Sequence, residues 1–170
     1  DYLGWLDGGG FTLMDSTEYI AWMKEDRIVI NEDNVFSHAQ PKLGSPKVSD
    51  LLAGNILKGT KGIENFTKAV FPDGRQGFVP SHATMPYLDW LASRHADINN
   101  ILQTAHELMG RPYLWGGTSG KGMDCSGFTK TVFYLNGVIL PRDASQQVHT
   151  GVEIETDTTL KNLIPGDFLF

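Results

Sequence analysis

Cys125 is the single cysteine of the 170-residue chain. One thiol makes no internal disulfide and excludes a zinc site built on several cysteines. Three readings stay open at this point: a buried packing residue, an odd reactive thiol, or a nucleophile. Its surroundings are unusual for a packing residue. Upstream, Gly110, Gly116, Gly117, Gly120 and Gly122 share a loop with Pro112, a composition that lets backbone approach a ligand closely. Downstream, Phe128, Val132 and Leu135 fall on one helical face, and Asn136-Gly137 supplies a stop. Cys125 is therefore expected at or near a helix N-terminus. Unpaired N–H groups there favour an anionic sulfur and are placed to hold a developing oxyanion. That is the physical basis of an activated cysteine nucleophile.

Several elements must position this residue. Asp15 with Glu18 three residues on reads as a capping box, followed by Tyr19, Trp22 and Met23 on one face of a short helix. The opening stretch, Asp1 to Leu6, reads as an unmatched strand ending at Gly8-Gly9-Gly10. From Arg27 to Val79 the pattern is short strands and turns, with Ile28-Val29-Ile30, Val35-Phe36, a glycine break at Gly54, and a hairpin signal at Pro72-Asp73-Gly74. This spacing argues for a small β-barrel. Residues 80–94 read as a connector with enough apolar side chains to form a packed joint. Ile98, Ile101, Leu102, Ala105, Leu108 and Met109 then mark an amphipathic helix of about four turns, ended by Gly110.

Composition narrows the function classes. The net charge is −6, from 14 basic and 20 acidic residues, which disfavours a phosphate-backbone partner. No run of about 18 apolar residues is present, so no membrane span is expected in this segment. The opening residues lack the basic and apolar regions of a signal peptide. No ligand cluster stands at metal spacing, so no metal or organic cofactor is expected.

Three blocks carry a specific resemblance. They are Arg111-Pro-Tyr-Leu-Trp-Gly-Gly with Asp124-Cys-Ser-Gly-Phe, then Pro141-Arg-Asp-Ala-Ser-Gln-Gln, then Leu163-Ile-Pro-Gly-Asp-Phe-Leu-Phe. Together they resemble the NlpC/P60 cysteine peptidases. The segment from Leu51 to Val79, with Pro72-Asp-Gly-Arg-Gln-Gly-Phe-Val, looks like a bacterial SH3-like (SH3b) domain. The pair resembles bacterial γ-D-glutamyl-L-diamino acid endopeptidases. The resemblance implies an α+β fold: an incomplete papain-like NlpC/P60 catalytic domain over 91–170, preceded by a small SH3-like β-barrel and connector over 27–90. Residues 1–26 would be the end of a preceding SH3b-like domain and a helical linker.

What the resemblance implies about residues is as follows. Cys125 matches the nucleophile. Asp124 matches an acidic position that meets the amino terminus of the substrate's L-Ala, a charge-assisted pair. Ser126 either caps the helix or touches substrate. Trp115 and Tyr113 match the pocket wall, or else pack the loop. Arg142, Asp143 and Ser145 lie in a cleft-lining segment, where Arg142 reads equally as an anchor for its loop. Tyr2 matches a tyrosine that reaches the cleft from a preceding domain. The family's base is a histidine on a strand after the Pro165-Gly166-Asp167 turn, and the chain ends at Phe170, so that histidine is expected beyond it. Of the five histidines, His149 is the best internal candidate. The chain thus reads as truncated at both ends, its partners including the missing strands of its own protein and murein stem peptides.

The implied activity is hydrolysis of the γ-D-Glu to diamino acid bond in stem peptides with a free N-terminal L-Ala, as in murein peptide recycling. The fragment alone is expected to be inactive. Two alternatives remain: a cell-wall peptide binding module with a degenerate catalytic domain, and a wall-remodelling endopeptidase on intact murein. The expected place is the bacterial cell envelope, periplasmic or as a lipoprotein, with the cytoplasm as alternative.

Overall fold

The computed structural model describes Trp5 and residues 8–170. Tyr2 and all of the expected N-terminal strand except Trp5 lie outside the described residues. The chain forms two compact units. The first comprises residues up to Ile30, Val35–Leu51 and Asn55–Tyr87, and the second Asn31–Asn34, Leu52–Gly54 and Leu88–Phe170.

The first unit opens with α1 (Ser16–Lys24). Its capping box forms as the sequence predicts: the Glu18 N–H donates to Asp15 Oδ1 at 2.8 Å, and the Asp15 N–H donates to Glu18 Oε2 at 2.9 Å. The helix buries no residue, so its apolar face is not a core face. Seven strands follow: β1 (Arg27–Ile30), β2 (Asn34–His38), β3 (Lys47–Leu52), β4 (Ile56–Ile63), β5 (Phe66–Val70), β6 (Gln76–Pro80) and β7 (Thr84–Pro86). Their order in the sheet is β3-β2-β6-β5-β4-β1-β7. The Pro72-Asp73-Gly74 turn joins β5 to β6 in the register Val70↔Gln76, with Gly74 at φ +85° where a Cβ would be strained. Ile28, Ile30, Leu57, Ala69, Phe71 and Val79 form the core.

The expected closed barrel is not shown. Among the described residues the ladder runs from β3 at one edge to β7 at the other, with no pairing that joins them. Strand periodicity reports which segments are extended, whereas closure depends on shear and partner choice that no local pattern encodes. The segment read as connector supplies β7, antiparallel to β1 with Ile28 opposite Pro86. A three-residue strand ending in proline gives almost no sequence signal, and proline is tolerated there because β7 is an edge.

The second unit holds α2 (Tyr87–Ala92), α3 (Ile98–Glu107), the two-stranded ribbon β8 (Thr118–Ser119) and β9 (Gly122–Met123), α4 (Cys125–Leu135) and the short α5 (Ala144–Gln147). Asp97 caps α3 by accepting from the Asn100 N–H at 3.0 Å. The helix is shorter than its periodicity predicts. Ile101 and Leu108 are buried, but Met109 is 66% exposed, past the last helical turn. Ile101, Leu108, Met123 and Val132 form the buried cluster between α3 and α4.

Polar contacts fix the far end of α4. Asn136, 5% exposed, donates through Nδ2 to Thr104 Oγ1 and to the Val132 carbonyl, both at 2.9 Å. Arg94 Nη1 donates to the Leu135 carbonyl at 3.0 Å, and the Tyr134 hydroxyl donates to the Gly54 carbonyl at 2.8 Å. The final segment expected as a strand has no strand pairing. It packs Phe168 edge-on against Phe133, ring centroids 5.0 Å apart.

Asn136 ties α3 to α4 from inside the unit, so removing its amide leaves buried acceptors unpaired. Asn136→Ala is expected to destabilise the protein by about 1–3 kcal/mol in urea unfolding. An unchanged midpoint would show that the two helices are held by apolar packing alone.

Candidate active site

The loop from Gly110 to Met123 folds back on itself before it delivers Cys125. The Leu114 N–H donates to the Met123 carbonyl at 3.1 Å, and the Met123 N–H donates to the Pro112 carbonyl at 3.1 Å. Two glycines make the close approach possible. A Cβ on Gly127 would sit 2.0 Å from the Gly117 carbonyl oxygen, and one on Gly117 would sit 2.3 Å from the Gly122 carbonyl oxygen. No side chain fits in either place. The Thr131 hydroxyl donates to the Thr118 carbonyl at 3.1 Å and fastens the ribbon to α4.

Asp124 is the N-cap of α4, and its carboxylate is the hub of the site. Oδ1 accepts from the Gly127 N–H at 2.7 Å, from Arg142 Nη1 at 3.1 Å and from the Ser126 hydroxyl at 3.3 Å. Oδ2 accepts from Arg142 Nη2 at 2.6 Å and from the Gly116 N–H at 2.9 Å. The residue is 7% exposed. Arg142 therefore meets the carboxylate with both terminal nitrogens, the geometry that favours arginine over lysine. The guanidinium, and then the Gly127 and Gly116 N–H groups, hold the Asp124 carboxyl well below the usual carboxylate range, against the opposing effect of burial.

Cys125 follows as the first residue of α4, and its side chain is exposed. Ser126 turns the other way. It is 7% exposed, and its hydroxyl accepts from Arg142 Nη1 at 2.9 Å while donating to Asp124. A pocket of about 400 Å³ opens beside the thiol. Leu108, Met109, Met123 and Phe128 give it an apolar wall, and Arg111, Tyr113 and Asp124 also line it. Trp115 is 86% exposed, and Ser145 is exposed on α5. Asp143 occupies the N-cap position of α5, but its side chain makes no cap bond. Among the described residues its carboxylate has no hydrogen-bond or ion-pair partner. His149 is exposed, just past α5.

Sequence reasoning missed Gln147. It is 1% exposed, and its Nε2 donates to the Ser126 carbonyl at 3.0 Å and to the Pro141 carbonyl at 2.9 Å. It ties the Arg142 loop to the first turn of α4. The available signal was its spacing from Ala144 on a short helix, which a polar Ser-Gln-Gln run obscures. Gly117 was read as part of a loop that approaches a ligand, and Gly127 only as part of the Asp-Cys-Ser-Gly-Phe block, so their contact with each other was missed.

The buried pair has a pH signature. Asp124 is harder to protonate folded than unfolded. Its contribution is therefore complete above the unfolded carboxyl value of about 3.9 and is lost as pH falls below it. Asp124→Asn strands the Arg142 charge, so a loss of about 3–5 kcal/mol is expected at pH 7. In urea unfolding the gap between the two proteins should stay level from about pH 5 to 8 and narrow below about pH 4. A gap that does not narrow in acid would contradict this arrangement.

Comparison with known proteins agrees with the geometry. Residues 110–170 match the sequence model of the NlpC/P60 family. The dipeptidyl-peptidase 6 of Lysinibacillus sphaericus is 31% identical over 163 residues, covering 93% of this chain and 59% of that protein. The γ-D-glutamyl-L-lysine dipeptidyl-peptidase of Bacillus cereus is 25% identical over 184 residues, covering all of this chain and 54% of that one. The crystal structure of an NlpC/P60 family protein from the same species shares the fold with a TM-score of 0.68 at 22% identity, over 82% of this chain and 46% of that one. The chain thus spans about half the length of the relatives it matches. The cysteine that opens a helix beside a glycine loop, with the Asp–Arg frame beneath it, lies within the residues 110–170 that match the NlpC/P60 family.

Proposed function

We propose that this chain is part of a cysteine peptidase acting on peptidoglycan stem peptides, with Cys125 as nucleophile. The observation that carries the reading is the exposed Cys125 thiol on the first turn of α4, at the mouth of a pocket and over a buried Asp124–Arg142 frame. The names of the relatives support the substrate class.

In this reading the sulfur attacks the γ-carbonyl carbon of D-Glu. The oxyanion forms against the N–H groups of the first turn of α4. The thiol proton passes through a histidine to the leaving amine of the diamino acid, the C–N bond breaks, and a thioester remains on Cys125. Water then hydrolyses the thioester, releasing the acyl dipeptide and restoring the thiol. The first unit serves as an SH3b-like module, with 27–90 and 91–170 as the working division. The protein is placed in the cell envelope. Among the described residues no helix is long and apolar enough to cross a membrane.

The selection of a free amino terminus moves from Asp124 to Asp143. The Asp124 carboxylate already accepts five hydrogen bonds from within the fold. Asp143 is the next residue after the Arg142 anchor, and its carboxylate is uncommitted among the described residues. An ammonium group meets the uncommitted carboxylate at lower cost than one it must share with a buried guanidinium.

The test uses the whole protein with L-Ala-γ-D-Glu-diamino acid tripeptides, followed by mass spectrometry. Cys125→Ala is expected to abolish release of L-Ala-D-Glu. Residual turnover at the wild-type rate would end the nucleophile assignment. Asp143→Asn is expected to raise KM about tenfold or more for the free peptide and to erase its preference over the N-acetylated peptide. A preserved preference would return the ammonium contact to another group.

A further inference from the structure

The pocket beside Cys125 combines an apolar wall with one arginine, and that pairing has a specific chemistry. Leu108, Met109, Met123 and Phe128 give a lining suited to methylene groups, and the two methionines adapt to shape. Two charged groups line the pocket, Asp124 and Arg111. Asp124 is held by Arg142 and backbone N–H groups, so its charge is neutralised inside the fold. Arg111 is different. Its partner is Asp33, in an ion pair whose side chains are 34% and 52% exposed. Solvent-exposed pairs of this kind contribute little to stability. A carboxylate brought into the pocket by its own apolar contacts therefore exchanges for Asp33 at little loss. The guanidinium fork takes a carboxylate through two parallel hydrogen bonds.

We propose that Arg111 is a specificity-determining residue that reads a substrate carboxylate carried on a short aliphatic arm beside the scissile bond. This rests on the reading of Cys125 as the nucleophile. Stem peptides offer two such groups, the α-carboxylate of D-Glu and the distal carboxylate of meso-diaminopimelate. D-isoglutamine lacks the first and L-lysine lacks the second. Asp33 acts as a placeholder that keeps the guanidinium oriented until substrate arrives.

The experiment is calorimetric titration of the whole protein carrying Cys125→Ala, which stops turnover while leaving the pocket intact. The probes are L-Ala-γ-D-Glu-meso-diaminopimelate, the L-lysine analogue and the D-isoglutamine analogue. Arg111→Ala is expected to weaken the diaminopimelate peptide about ten- to hundredfold, and Asp33→Ala to leave it unchanged or tighter. The opposite response of the two partners is what a merely structural ion pair would not give. If the loss on Arg111→Ala vanishes with the lysine peptide, the distal carboxylate is the group read. If it vanishes with the isoglutamine peptide, the D-Glu carboxylate is. Equal weakening by Asp33→Ala and Arg111→Ala overturns the proposal, as does an Arg111→Ala protein that binds all three peptides like its parent. In that second case, cleavage of the peptides by the wild type leaves the nucleophile reading standing. If the parent binds none of them and the wild type cleaves none, both readings fall together. Unfolding midpoints of each variant establish that the change is in binding and not in folding.

Discussion

A single buried carboxylate organises the second unit. Asp124 caps α4, accepts both terminal nitrogens of Arg142 and receives the N–H of Gly116 from the glycine loop. Three segments, the glycine loop, the first turn of α4 and the stretch after α4, meet on its two oxygens. Cys125, one residue further on, inherits its position from that junction. The arrangement is stabilising only because it is complete. A carboxylate and a guanidinium taken out of water each require their remaining hydrogen bonds to be satisfied. Among the described residues no buried side-chain nitrogen or oxygen lacks a partner.

The junction also constrains what surrounds it. For the Gly116 N–H to reach Asp124, the loop must pass tightly beneath α4, which sets Gly117 against Gly127 with no room for a Cβ. For Arg142 to reach back, the chain after α4 must turn sharply, and Gln147 holds that turn by bonding to both Ser126 and Pro141. The result is a division of labour among neighbours. Asp124, Ser126 and Gln147 face inward and build the frame, while among the described residues the Cys125 thiol and the Asp143 carboxylate have no hydrogen-bond or ion-pair partner. Preorganised groups of this kind need no rearrangement when charge develops in a reaction.

Local features were legible in the sequence, and long-range ones were not. The capping box at Asp15 and Glu18, the hairpin turn at Gly74 and the start of α4 at Cys125 all follow from residue types within a few positions of one another. The destination of the Asp124 side chain depends on Arg142, eighteen residues away in the hydrogen-bond pattern, and no spacing rule predicts such a partner. The sequence offered an anchoring role for Arg142 as one of two readings but assigned Asp124 outward, to substrate. Sheet closure failed for the same reason, since pairing of β7 with β1 joins segments separated by most of the first unit. Burial of Gln147 was hidden because a glutamine that closes a polar Ser-Gln-Gln run carries no apolar signal.

The claim that the Asp124–Arg142 pair is the organising interaction is tested most directly by a double-mutant cycle in urea. Asp124→Asn, Arg142→Met and the double variant would be compared with the parent protein at pH 7. The account predicts that the double variant is less damaged than the sum of the singles, with a coupling above about 1.5 kcal/mol. Additivity within about 0.5 kcal/mol would mean that the two side chains act independently. The frame beneath Cys125 would then have to rest on the backbone contacts alone.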